Sequence, residues 1–114
     1  MDYKPSATNA AAMVTNEDVP GGVTVGQISL LGTGAQGWSI TSTTPITLNN
    51  NGTGAIISNE DTAVSAGSTY RLTISQSASA NAIVLADNLT ISNTSGSTNA
   101  NGSISIQSAI NGTG

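Results

Sequence analysis

The chain has 114 residues, half of them Ser, Thr, Asn or Gly, with two basic and six acidic residues and a net charge of −4. Two bases cannot neutralise a row of phosphates, so a nucleic-acid footprint is excluded. The absence of His and Cys removes the usual proton shuttle, the thiol nucleophile, disulfides and thiolate metal ligands.

In chain order, residues 1–16 are small and polar, with Pro5 and an Ala run at 10–12. They read as an extended arm, frayed or docked on a neighbour, that ends in an edge strand near Ala11 to Thr15. Val19-Pro20-Gly21-Gly22 is a turn. Val23 to Leu31 reads as one strand. Val23 and Val25 share one parity, Ile28 and Leu30 the other, so a bulge at Gly26-Gln27 is expected to return all four to the core.

Gly32 to Gly37 is a loop, after which Trp38 and Ile40 alternate with Ser39 and Thr41. Pro45 opens the next strand, with Ile46 and Leu48 inward. Asn49 to Gly54 is a turn rich in residues that tolerate positive φ, and Ala55 to Ser58 is another short strand. Loop signals at 59–62 and 66–68 flank Ala63-Val64. Thr69 to Ser75 shows the cleanest alternation, with Tyr70, Leu72 and Ile74 on one face. Ser77 to Asn81 turns the chain. Ile83 to Leu85 and Leu89 to Ile91 read as a strand pair or one bulged strand, interrupted at Asp87-Asn88. Residues 92–103 are low-complexity loop, a last strand runs from Ile104 to about Ile110, and 111–114 form a tail.

About eight short strands, no helix and no repeat of fixed period imply an all-β chain. The expected architecture is an antiparallel two-sheet sandwich, with a small barrel as the alternative. The chain length suits one domain. The expected organisation is an arm over 1–16, a sandwich over 17–93, and a loop, extra strand and tail over 94–114.

Four segments resemble the cadherin-like repeat, an immunoglobulin-like sandwich of bacterial and phage surface proteins. They are Asn16-Glu17 through Val19-Pro20-Gly21-Gly22 to Val25-Gly26-Gln27-Ile28; Gly37-Trp38-Ser39-Ile40; Leu48 through Gly54 to Ile56; and Ser68-Thr69-Tyr70-Arg71-Leu72-Thr73-Ile74. Together they span roughly residues 9–93. The resemblance implies a module of a surface protein, and it includes calcium-binding members from which this chain departs. The family's Asp-x-Asp is replaced here by Gly32-Thr33-Gly34-Ala35, and its Leu-Asp-x-Glu by Thr62-Ala63-Val64-Ser65. Only Glu17 matches a family ligand position. A tight calcium site needs six to eight oxygens. Glu60, Asp61 and Asp87 complete the set of acids from which a weak site could be drawn, and no other cofactor is implied.

Gly32-Thr33-Gly34-Ala35-Gln36-Gly37 matches a dinucleotide fingerprint in letters alone. The following Trp-Ser-Ile-Thr-Ser-Thr-Thr-Pro is a poor helix, so an inter-strand loop is the better reading. Serine has no histidine base, and the adjacent acids Glu60 and Asp61 point to opposite faces of a strand, so no enzyme is expected. Trp38 and Tyr70 read as core before they read as a sugar platform.

No apolar run approaches a membrane span, and residues 1–20 contain no signal-peptide apolar region. A composition typical of extracellular fibres without a secretion signal fits a particle assembled inside a cell and then released. The expected function is a non-enzymatic virion surface protein, a phage capsid decoration or fibre-type subunit. Its partners would be copies of itself and a capsid protein, with neither nucleic acid nor membrane. Tyr3, Met13 and Val14 of the arm, together with Arg71, are the expected interface residues. The alternatives are a bacterial filament subunit assembled by strand exchange and a carbohydrate- or calcium-dependent adhesion module.

Overall fold

The computed structural model describes residues 2–3, 6–7, 13–32, 37–61, 71–76, 82–94 and 102–112. They form thirteen strands: β1 (Asp2–Tyr3), β2 (Ser6–Ala7), β3 (Met13–Glu17), β4 (Val23–Val25), β5 (Gln27–Gly32), β6 (Trp38–Ser42), β7 (Ile46–Leu48), β8 (Ala55–Asp61), β9 (Arg71–Gln76), β10 (Ile83–Leu85), β11 (Leu89–Asn93), β12 (Ser103–Gln107) and β13 (Ile110–Gly112). Every pairing between them is parallel. The first sheet holds β1 and β2, then β5, β8 and β11; the second holds β3, β6, β9 and β12; the third holds β4, β7, β10 and β13. The chain visits the three sheets in rotation. It therefore winds through four coils, each stacked on the one before, as a β-solenoid.

This arrangement overturns the antiparallel two-sheet sandwich, and with it the fold implied by the cadherin-like resemblance. The physical reason is that alternation marks which side of a strand is buried and says nothing about the direction of its neighbours. An antiparallel pair needs a turn that sends the chain back beside itself. Here each corner sends the chain into the next sheet, and a parallel partner arrives one coil later. The parity change at Gly26 is such a corner: β4 ends at Val25, β5 begins at Gln27, and the two strands lie in different sheets. No bulge is needed, because both inward sets face one interior across the angle between sheets. Asp87-Asn88 lies at the equivalent corner between β10 and β11.

The interior is built of columns. Val23, Ile46, Ile83 and Ile110 lie in register, as do Val25, Leu48 and Leu85. Trp38, Leu72 and Ile104 form a second-sheet column, and Ile40, Ile74 and Ile106 another. Ile28, Ile57 and Ile91 do the same in the first sheet. Leu48, Ile57, Leu72 and Ile74 are fully buried. Each contributes about 1.5–3 kcal/mol on removal from water.

Outward positions stack hydroxyls on hydroxyls. Ser39, Thr73 and Ser105 share one column; Thr41 and Ser75 share another, with their oxygens 3.4 Å apart. The Ser/Thr-rich composition is largely the outside of this stack.

Coil length varies, because Val23 lies opposite Ile46 and Ile46 opposite Ile83, offsets of 23 and 37 residues. The 14-residue difference is spread over all three corners: the longer coil has five more residues between third and first sheets, four more between first and second, and three more between second and third, with two in longer strands. The connections from first to second sheet run over residues 8–12, 33–37, 62–70 and 94–102. At about 4.8 Å per parallel neighbour, four coils stand about 19 Å tall, close to the shortest of the extents, 39 × 27 × 22 Å. The stack is squat, and its two ends are broad.

Candidate functional site

The densest polar arrangement among the described residues lies at the corner between the third and first sheets. In the coil of β4 and β5 this corner is Gly26 alone; in the next it is Asn49–Gly54, and in the next Ala86–Asn88. Gly26 is required by proximity, since a Cβ there would stand 2.7 Å from Asn50 Oδ1. The turn at 49–54 bends through left-handed backbone at Asn51 (φ 54°), Gly52 (φ 82°) and Gly54 (φ 87°), conformations that Asn and Gly adopt most readily. Asn50 Nδ2 donates to Gly54 O at 2.9 Å, and Thr53 Oγ1 donates to Asn50 O at 2.6 Å.

This curl aims its amide hydrogens at one point, where the Asp87 carboxylate sits. Oδ2 accepts from the backbone N–H of Gly52 (2.9 Å), Gly54 (3.1 Å) and Asn50 (3.3 Å), and Oδ1 from Asn88 N–H (2.9 Å). Burial pushes the Asp87 pKa up; the N–H groups of Gly54, Asn88, Gly52 and Asn50 outweigh it and hold the carboxyl below its ordinary value. The donors of Oδ2 belong to one coil and the acceptor to the next, so the carboxylate ties two coils together. The same N–H groups turn the positive ends of their dipoles toward the space that a cation would occupy. The arrangement therefore suits a structural brace and is a poor cation ligand.

A second polar row crosses the first sheet on its outward parity. Gln27 Nε2 donates to Ser29 Oγ at 2.6 Å, Ser29 and Ser58 hydroxyls meet at 2.7 Å, and Ser58 Oγ donates to Glu60 Oε1 at 2.7 Å. Ser58 has one proton and gives it to the carboxylate, so Ser29 must be the donor to Ser58. The row is polarised from amide to acid. Ser29 and Ser58 are buried, out of reach of a substrate. Gln76 Oε1 accepts from Ser108 Oγ at 2.5 Å, while its Nε2 is buried without a partner.

The four acids weighed in the sequence as a weak calcium set do not all lie on one element. Glu17 closes β3 opposite Ser42 in the second sheet. Glu60 is exposed near the end of β8, and Asp61 closes that strand opposite Gly32. Asp87, at the corner before β11, is bonded to the turn from which β8 begins, about 16 Å of strand away from Glu60. Among the described residues no three acids, histidines or cysteines stand close enough to hold a metal ion.

Of the expected interface residues, Tyr3 pairs in register with Ile28, Met13 with Trp38 and Val14 with Ser39. The described parts of the arm thus form strands on the chain's own second coil. Arg71 is exposed and its Nε donates to Ser103 Oγ at 3.2 Å, across neighbouring coils. Trp38 is buried at 1% exposure, a core residue and no sugar platform. Tyr70 and residues 33–36 of the glycine-rich stretch lie outside the described residues.

The bracing role of Asp87 has little local signature in the sequence. Its partners on the neighbouring coil are 33 to 37 residues away, and the only local signal was the run of Asn and Gly at 49–54. Comparison with protein-family models, curated proteins and solved structures finds no significant match.

Proposed function

We propose that the chain is a non-enzymatic structural protein of a virion surface, a decoration or fibre-type subunit that attaches through strand edges. The observation that carries this reading is where its polar chemistry goes. Among the described residues the Asp87 carboxylate, the Asn49–Gly54 turn and the Ser29–Ser58–Glu60 row all brace one coil against another. Nearly uncharged hydroxyl-lined outer faces suit dense packing of copies, since self-repulsion is small. Among the described residues, β3 and β4 at one end and β11, β12 and β13 at the other lie at the edges of their sheets, where a neighbour can pair through the backbone.

Immunogold labelling of purified particles and of cells, with antibody raised against the folded chain, tests the proposal. Gold on particle surfaces supports it. Gold confined to cells, or lining the cell envelope without particles, overturns it.

A further inference from the structure

Among the described residues, no strand pairs with the outer edge of the coil formed by β11, β12 and β13. Ile91 and Ile110 stand in the columns of Ile57 and Ile83. Ile57 and Ile83 are 0% and 1% exposed; Ile91 and Ile110 are 52% and 43% exposed. Ile104 and Ile106 of β12 are half-buried. Three strands, β11, β12 and β13, form the free edges of the three sheets at this end. An open apolar edge is normally blunted by charge or proline, yet residues 88–114 contain neither.

The opposite end is different. Its described residues include Asp2, Glu17 and Asp18, with Pro20, the devices that discourage edge pairing. An N-terminal end docked on a C-terminal end would have to desolvate charges, whereas two C-terminal ends bring only uncharged strands together. The broad face of the chain is at most 39 by 27 Å. That is comparable to the roughly 800 Å² per partner of a standard protein interface.

From these observations we propose that the C-terminal coil docks against the C-terminal coil of a second copy, tail to tail, across a two-fold axis normal to the coil axis. The edge strands then meet antiparallel, the two apolar interiors become continuous, and the symmetry closes at two copies.

The test is the mass of the full chain by light scattering after gel filtration, from about 1 to 100 μM, the range of moderate affinities. The expected result is twice 11.2 kDa at the upper concentration, with dissociation on dilution. Ile91→Lys and Ile110→Lys should each be monomeric throughout, with circular dichroism showing an unchanged strand signal. Thr24→Lys, an exposed position on the opposite edge strand β4, should still dimerise. A wild-type monomer at every concentration overturns the proposal. So does a ladder of growing masses, or loss of association in Thr24→Lys, since both mean head-to-tail stacking.

Discussion

Ile57 and Ile91 are the same residue in the same column of the same sheet, one coil apart. The first is sealed and the second is half open. Neither local sequence nor strand propensity separates them; only the coil above does. Burial in this molecule is a property of neighbouring pairs, so stability is built coil by coil, as expected of a solenoid. The middle coils are held from both sides, the terminal ones from one.

Shortening the two isoleucines should show the difference at its largest. Ile57→Ala should cost about 2–5 kcal/mol, whereas Ile91→Ala should cost less than about 1 kcal/mol, both read from urea unfolding of dilute protein. Comparable losses would show that the last coil is not the loose one. Raising the protein concentration should enlarge the Ile91→Ala effect if copies cover that end.

Backbone sterics sharpen the contrast. Gly21 and Gly22 both have φ of +88°, but only Gly22 has a neighbouring coil against it, where an added Cβ would collide with the Pro45 carbonyl. Gly21→Ala should cost about 1–2 kcal/mol for the left-handed conformation. Gly22→Ala should cost at least about 1 kcal/mol more, through the collision. Equal midpoints in thermal melts would mean that Pro45 moves aside freely.

Hydroxyl columns give a smaller version. Ser29→Ala interrupts a buried row and should cost about 1–2 kcal/mol. Ser92→Ala, in the same column on the last coil, should stay within about 0.5 kcal/mol.

The smallest effect is read by pH. Because the Asp87 pKa is lowered on folding, its stabilisation is complete above the ordinary carboxylate value, about pH 4, and fades as pH falls through the lowered one. Asp87→Asn should therefore unfold earlier than the wild type at neutral pH, and the gap should close below about pH 4. A gap that persists in acid would assign the loss to shape and not to charge.

Much of the interior was legible in the sequence. Val25, Ile28, Leu30, Trp38, Ile40, Ile46, Leu48, Leu72 and Ile74, all read as inward or core, are buried. What the sequence hid was which strand lies beside which. Strands of three to seven residues, which make up all but the first two, carry too little pattern to reveal their partners. Offsets that range from 23 to 37 residues erase the regular spacing by which a solenoid is usually recognised. The parity change at Gly26 does mark a break, but it suggests a bulge, because one glycine serves equally as a bulge and as a corner. Asp87 was hidden for the same reason as the fold, since most of its partners are neighbours only after the coils are stacked.

The drifting length of the connections from first to second sheet has a consequence for protein engineering. Closing a loop of twice the length costs only about 0.6 kcal/mol more, and this chain already spans a range of lengths at that one corner while its strands keep register. Foreign peptides grafted between Asp61 and Arg71, or between Asn93 and Ser103, would be carried side by side along a single edge, making the molecule a small display rack whose spacing is set by the backbone.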